Sequence, residues 1–528
     1  MKSHSEALYQ QALADFKIKE YEKALKHAYS AFESGGEELQ LWILLASILR
    51  RMDRFTDALG WVEKVIKRDS TYRSPDLESK DGNSLYILGF ILDALHRYEE
   101  ALAAYDRAID IDPKDGYSWH GKGNVLDTLH RYEEALAAYD RAIEIEPKLA
   151  YSWHGKGNVL DTLQRYEEAL TAYDRAIEID PKDAYPWYGK GNVLNSLHRY
   201  EEALAAYEQS IEIDPSDAYP WYGKGNVLDA LHRYEEALVA YDRAIEIDPE
   251  YAYSWHGKGN VLDMLHRYEE ALVAYDRAIE IDPKFAYPWH GKGIVLTRLH
   301  RYEEALVAYE RAIEIDPKYA NSWNGKGNVL NKLHRYEEAL VAYERANEID
   351  PKYANPWSGK GNVLDMLQRY EEALAAYDRA IEIDSKFASP WNGKGNVLTR
   401  LQRYEEALAA YERAIEIDPK FAYPWHGKAV LWANGLLSNN MKVISLYQEK
   451  QRVQVNVTLE LPTEIIDLIW KAITLDMNVP LFWRNHLLFA NSFKGGIVQV
   501  ESQYKKGYEQ FQNNPFYWSN IASLNLEK

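Results

Sequence analysis

A tryptophan recurs every 34 residues through most of this chain, at Trp119, Trp153, Trp187, Trp221, Trp255, Trp289, Trp323, Trp357, Trp391 and Trp425. Each stands six residues after a proline, from Pro113 to Pro419, except in the ninth block, where Ser385 takes the proline's place. A fixed period of this length specifies a solenoid, in which each unit buries its apolar face only against its neighbours. Such an array offers a long surface rather than a closed pocket. A chain of 528 residues would overfill a single core but sets no difficulty for a stack of units. Binding is therefore the first functional expectation.

Within the block that begins at Gly116, the residues from Tyr117 to Leu129 predict a first helix. Trp119, Leu126 and Leu129 fall on one stripe at helical spacing, and Gly123 lies between them. A glycine inside a helix costs about 1 kcal/mol of propensity, so close packing is its expected reason. His130 and Arg131 form the turn. A second helix then runs from about Tyr132 to Ile145, with Ala135, Leu136, Tyr139, Ala142 and Ile143 inward. Pro147 ends it, because proline stops propagation and restrains the residue before it.

Trp119, Gly123, Ala135, Tyr139, Ala142 and Pro147, repeated in register, resemble the signature of the tetratricopeptide repeat (TPR) family. The resemblance covers regular blocks from about Gly82 to Phe421. It implies an all-α fold, a right-handed superhelical solenoid whose first helices line a concave groove. One departure stands out. Lys122, Lys156, Lys190 and Lys224 occupy a position where the family usually has a large apolar residue. A lysine can lay its stem along an apolar stripe with its ammonium in solvent, so a structural role is expected.

The organisation predicted for the chain has five parts. Residues 1–72 hold two degenerate copies, carried by Ala12, Ala24 and Ala31 and then by Trp42, Ala46, Ala58 and Val65. Residues 73–81 are an inserted loop, 82–421 hold ten regular repeats, and 422–455 one degraded repeat. Residues 456–528 are a divergent segment that closes the open end of the stack as a cap or acts as a docking module. Val453, Val455, Val457, Leu459 and Leu461 alternate with polar residues, which predicts a short β-strand leading into that segment. Trp470, Phe482, Trp483, Phe489, Phe511, Phe516 and Trp518 make it the most aromatic and least repetitive part.

Four rows of side chains fall on a first-helix face away from the Trp–Leu stripe. The first holds Tyr117, Tyr151, Tyr185, Tyr219, Tyr253 and Tyr287, then turns to Asn321, Asn355 and Ser389. The second holds His120, His154, Tyr188, Tyr222, His256 and His290, then Asn324, Ser358 and Asn392. The third holds Asn124, Asn158, Asn192, Asn226, Asn260, Asn328, Asn362 and Asn396, interrupted by Ile294. The fourth includes Asp127, Asp161, Asp229, Asp263 and Asp365. An amide offers a carbonyl and two N–H donors and can meet both polar groups of an extended backbone. Tyrosines beside it supply contact area at low entropic cost. The asparagine row is thus either a ladder that grips a polypeptide or a set of stitches from each repeat to the next. The rows predict a groove that is aromatic and acidic first, small and polar later. Its partner would be a protein or extended peptide, basic or neutral, with aromatic or apolar residues. Apart from Arg298 and Arg400 this face has no arginines, which argues against clamping of an acidic C-terminus.

Other functions are disfavoured. The chain carries 82 acidic and 62 basic residues, a net charge of −20 spread along the repeats, so nucleic acid is not an expected partner. With no cysteine there is no disulfide, thiolate metal site or cysteine nucleophile. Histidines such as His120 and His154 recur one two-helix layer apart, too far to share a metal. Those such as His130 are expected turn residues. The repeated pair Glu133–Glu134 reads as solvated surface. Gly121-Lys122-Gly123 lies inside a predicted helix and lacks the spacing of a phosphate loop. No membrane-spanning run or signal segment is visible, and a cytoplasmic location is expected. No metal, cofactor or catalytic residue is expected. The chain reads as a non-enzymatic interaction scaffold, or alternatively as an assembly or regulatory subunit working through its convex face and aromatic tail.

Overall fold

A computed structural model of the chain describes residues 2–34, 39–68, 82–431 and 471. Every regular element among the described residues is an α-helix. The strand pattern at 453–461, the inserted loop at 73–81 and the aromatic tail lie outside them. The chain divides into two compact units, Met1–Leu265 and His266–Lys528. In both, a first helix (A) alternates with a second (B). The first unit contains the pairs Lys2–Lys17 with Tyr21–Glu33, Leu39–Arg51 with Phe55–Arg68 and Gly82–Ala94 with Tyr98–Ile111. The regular pairs follow, Gly116–Thr128 with Tyr132–Ile145 through Ala218–Ala230 with Tyr234–Ile247, and then the A helix Ala252–Met264. The second unit opens on the B helix Tyr268–Ile281. It continues from Ala286–Arg298 with Tyr302–Ile315 to Ala388–Arg400 with Tyr404–Ile417, followed by helical residues 422–431.

Each A helix ends the same way. The Arg131 amide donates to the Leu126 carbonyl and the His130 amide to that of Asp127, both at 2.8 Å, which is a Schellman closure. That closure needs a left-handed residue, and His130 supplies it at φ 59°. The same place is filled by Gln164, His198 and His232 in the first unit and by His300, His334, Gln368 and Gln402 in the second. Glycine is the usual occupant. Here His130 Nδ1 instead lies 2.8 Å from the Tyr132 hydroxyl, which anchors the turn to the next helix. Each B helix ends before its proline. Asp112, held extended at φ −130°, ψ 90° by Pro113, accepts a hydrogen bond from the Lys114 amide. Asp384 keeps that geometry before Ser385, at φ −134°, ψ 96°, and accepts from the Lys386 amide. The aspartate turn therefore survives without the proline.

In some blocks the six-residue distance from proline to tryptophan carries a hydrogen bond, whereas the indole N–H of Trp187, Trp221, Trp289, Trp357 and Trp391 finds no partner among the described residues. Trp119, Trp153 and Trp255 each donate their indole N–H to the carbonyl of the proline six residues back, at 3.0–3.2 Å. The ring is only partly buried. The sealed positions are Val125, Leu126, Ala135, Leu136, Ala138, Tyr139 and Ala142, with Leu129 and Ile143 less covered than the sequence suggests. Tyr139 is the largest of them. A Cβ on Gly123 would stand 2.7 Å from its ring, and one on Gly155, in the following A helix, also 2.7 Å. The two glycines of successive blocks thus form the two walls of one tyrosine slot. Truncating such a ring to alanine costs about 3–5 kcal/mol.

The departure at Lys122 is also structural. Its Nζ lies 2.6 Å from Asp106 on the preceding B helix and 5.4 Å over the Trp119 ring. Lys156–Asp140, Lys190–Asp174 and Lys224–Glu208 repeat the link in the first unit. Lys326–Glu310, Lys360–Glu344 and Lys394–Asp378 repeat it in the second. Each half-exposed pair contributes about 0–1 kcal/mol, so the staple acts by number and by fixing register.

Candidate functional site

Within each unit, successive A helices approach one another directly, whereas the backbones of successive B helices stay further apart and are bridged only by long side chains such as Arg199 and Glu167 at 3.8 Å. The A-helix side of each unit is therefore the inner side of its curvature, and the four rows lie along it. The first row stands clear of the packing, with Tyr117, Tyr151, Tyr185, Tyr219 and Tyr253 all about half exposed, as is Tyr287 in the second unit.

The third row is held from below. Tyr139 donates its hydroxyl proton to Asn124 Oδ1 at 2.7 Å. Tyr173–Asn158, Tyr207–Asn192 and Tyr241–Asn226 repeat this in the first unit at 2.7–2.8 Å. Tyr343–Asn328, Tyr377–Asn362 and Tyr411–Asn396 do so in the second at 2.8 Å. The phenol that fills the glycine slot is the one that orients the amide, and burial drives its pKa far above the usual range. The amide oxygens thus bond within their own repeat. This corrects the idea of stitches from each repeat to the next. It also changes the ladder, because the carbonyl is engaged and only amide N–H groups are left to meet a ligand, with the Asn124 amide also sharing a donor with His120. At Asn158, Asn328 and Asn362, which are exposed, those donors have no partner among the described residues.

The second row does cross repeats. His120 Nε2 lies 3.2 Å from Asn124 Nδ2, and His120 Nδ1 lies 3.2 Å from Ser152 Oγ on the next A helix. Asparagine is the donor to Nε2, so Nδ1 carries the proton and donates to the serine. Burial and the neighbouring His154 hold His120 neutral, with its pKa lowered to about 4. His154 is lowered by burial too. In the second unit His290 contacts Ser322 at 3.1 Å and is lowered to about 4 by burial. Tyr188 and Tyr222 fill the row between and touch Asn192 and Asn226. His256, Asn260 and Asp263 are each engaged and partly to fully covered.

The fourth row is half buried. Burial raises the carboxyl pKa of Asp127, Asp161 and Asp229, and of Asp93 one block earlier. Tyr173 senses both Asp161 and Asp127, so carboxylates of consecutive A helices flank each buried phenol. In the second unit Asp365 is paired with Arg400 of the next A helix. The Lys122-type ammoniums are committed to the B helices and so are not available on this face to clamp a terminal carboxylate.

One set of groove residues escaped the sequence reading. The residue just before the A helix is Asp115, Asp183 or Asp217 in early blocks, each capping the amide two residues on. From Tyr251 onward it is aromatic, as Tyr251, Phe285, Tyr319, Tyr353 and Phe387. Tyr251 packs 5.1 Å from Tyr219 and 5.3 Å from Tyr222, edge to face. Tyr319 packs 5.2 Å from Tyr287 and 4.9 Å from His290. Asn324 Nδ2 donates to the Tyr353 hydroxyl at 3.3 Å. As the first row loses its tyrosines, this position supplies rings. The later blocks are therefore not simply small and polar. The signal was present as a column that changes from Asp to aromatic.

Among the described residues no group of three or more His, Asp or Glu gathers at metal-binding distance, and no helix is long and apolar enough to cross a membrane.

Tetratricopeptide repeat models match residues 116–149, 218–251, 252–285, 286–319 and 388–421. Related models for the same repeat match residues 154–218, 37–114 and 318–386. No curated protein matches the chain. Among solved structures, the crystal structure of the APC/C hetero-tetramer Cut9–Hcn1 aligns at TM-score 0.47 and 13% identity, over 90% of this chain and 95% of that one. The crystal structure of YrrB, a TPR protein with an unusual peptide-binding site, aligns at TM-score 0.31 and 28% identity, over 36% of this chain and 97% of that one. The matched models together span well over half of the sequence, and the chain belongs to the tetratricopeptide repeat family.

Proposed function

We propose that this protein is a non-catalytic scaffold whose A-helix face grips an extended polypeptide by its backbone. A TPR fold is one that mediates protein–protein interaction, and the partner is a protein or peptide. The observation that carries the finer reading is the asparagine row. Each amide is oriented by a buried tyrosine, so its donors are set before a ligand arrives and little side-chain entropy is lost on binding. Spaced along successive A helices, such donors suit the carbonyls of an extended chain with little regard to its sequence. The exposed tyrosines beside them would cover its side chains.

The test places a photo-crosslinking amino acid at Tyr185 or, separately, at Val239 on the outer B-helix face, and exposes each full-length protein to a randomised peptide library. Capture at Tyr185 and not at Val239 supports the groove. Replacing Asn158, Asn192 and Asn226 together by alanine should weaken capture at least about tenfold with the helices intact. Capture confined to Val239 would favour the alternative, an assembly subunit working through its outer face. That reading has its own observation in the exposed Val273, Val307 and Val341 of the second unit's B helices.

A further inference from the structure

Four carboxylates of the first unit's fourth row are half buried and lack a lysine or arginine partner among the described residues. Asp93, Asp127, Asp161 and Asp229 have no ion-pair partner among the described residues. Burying a carboxylate is unfavourable unless a counter-charge arrives. The second unit shows what satisfies the same position. Arg400, 35 residues after Asp365, reaches back from its own A helix and pairs with that carboxylate. Counting the same 35 residues from Asp93, Asp127, Asp161 and Asp229 gives Thr128, Thr162, Ser196 and Met264. None is a cation. The three hydroxyls are turned into their own helices, where they donate to the carbonyls of Asn124, Asn158 and Asn192 at 3.0–3.1 Å.

His96, His130 and His232 lie near Asp93, Asp127 and Asp229 but form no ion pair with them, and the other basic side chains near this row do not fill the gap. Lys122, Lys156, Lys190 and Lys224 are held by the preceding B helices. Arg131, Arg165, Arg199 and Arg233 pair with glutamates three residues on, at the start of the B helices. The exposed rings of Tyr117, Tyr151, Tyr185 and Tyr219 share the same face, and aromatic faces attract guanidinium and ammonium groups.

We infer that the A-helix groove of the first unit selects extended peptides bearing arginine or lysine side chains, which seat on Asp93, Asp127, Asp161 and Asp229 as Arg400 seats on Asp365. This deepens the groove reading and rests on it. Directly packed helices stand about 8–10 Å apart, and an extended chain of the polyproline II type advances about 3.1 Å per residue with every third side chain on one face. A partner with a basic residue at about every third position would therefore meet successive carboxylates. Asn195 interrupts the acidic row, so the position facing it tolerates a neutral residue.

The probe is a fluorescein-labelled peptide of repeated Arg-Ser-Ser, about twelve residues long. Its twin has glutamine in place of arginine. Binding to the full-length protein is read by anisotropy at physiological ionic strength. The arginine peptide should bind at least about tenfold tighter than its twin. Asp127→Asn with Asp161→Asn should remove most of that preference, whereas Glu133→Gln with Glu167→Gln, the same charge change on the outer B helices, should leave it. Thr162→Arg should place the chain's own guanidinium on Asp127 and block the peptide as a plug. Thr162 is exposed, and circular dichroism checks that this variant is folded.

An equal loss from the outer pair would overturn the inference and assign binding to net charge alone. Unimpaired binding by the Thr162→Arg protein would overturn it as well. If both peptides bind equally, and the asparagine substitutions weaken both, the cation selectivity falls while the backbone groove stands. If neither peptide binds and the random library also fails at Tyr185, the groove reading itself falls.

Discussion

Asn347 should be a place where a single substitution makes this protein more stable. It lies on the B helix Tyr336–Ile349, in the column that holds Ile313 one repeat earlier. It is only 7% exposed, and neither its Oδ1 nor its Nδ2 has a hydrogen-bond partner among the described residues. Ile313 is 9% exposed, so the site is built to the size of an isoleucine. A buried polar group without a partner costs about 1–3 kcal/mol, and burial of an isoleucine side chain contributes about 1.5–3 kcal/mol. Allowing for imperfect fit, Asn347→Ile should stabilise its repeat by about 2 kcal/mol. Repeats couple mainly to their neighbours, so the gain should be local. Native-state hydrogen exchange is the suitable assay. Amides of Tyr336–Ile349 and of the helices packed on it should exchange up to about thirtyfold more slowly, while the Tyr132–Ile145 region stays unchanged. The reciprocal Ile313→Asn should destabilise by a similar amount. Unchanged or faster exchange after Asn347→Ile would refute the reasoning, because it would mean the amide is satisfied in the folded state.

Two further outcomes follow from the packing and the titrating groups. A Cβ on Gly189 would stand 2.6 Å from the Tyr173 ring, whereas one on Gly60 meets nothing within 4 Å. Gly189→Ala should therefore destabilise by about 1–3 kcal/mol in chemical denaturation and Gly60→Ala should stabilise by about 0.5–1 kcal/mol; equal effects would refute the tyrosine-slot account. Acid should loosen the histidine-bearing A helices first. His120 and His290 have folded pKa values of about 4 against 6.5 unfolded, so the unfolded chain binds more protons between those limits. Stability from the neutral imidazole is then complete above about pH 6.5 and lost as pH falls towards 4, amounting to about 2 kcal/mol for His120 at about pH 5. The raised carboxyls of Asp127 and Asp161 act in the opposite direction only at the acid end of that window. Protection of the Gly116–Thr128 amides, corrected for the pH dependence of intrinsic exchange, should fall between about pH 6.5 and 5, and His120→Gln should remove most of that fall. A pH-independent wild type would refute the assignment of a neutral, buried His120.

How much of the site was legible is clearest from single columns. The asparagine and tyrosine rows could be placed on one face by helical spacing alone, because side-chain direction in a helix follows from residue number. Their bonding could not. Tyr139 and Asn124 are fifteen residues apart on different helices. Only the closing of the A–B pair decides that the phenol reaches that amide and claims its oxygen. The aromatic column from Tyr251 to Phe387 was readable as composition, but its place over the preceding repeat's tyrosines depends on how the chain enters each A helix.

The 34-residue period determined that the fold is repetitive, and the apolar stripes at helical spacing within each block determined that it is helical. The sequence also marked Gly123 as a site of close approach, because glycine inside a helix is otherwise unfavourable, but it did not mark Gly155. Tertiary structure alone decided what approaches them, a single Tyr139 ring shared between two blocks. It decided that Lys156 staples its A helix to Asp140, and that Asp93, Asp127, Asp161 and Asp229 are left without the cation that Asp365 receives from Arg400. The reason is physical. Periodicity fixes which face a side chain is on, but ion pairs and hydrogen bonds depend on distances of a few ångströms across helices that only packing brings together.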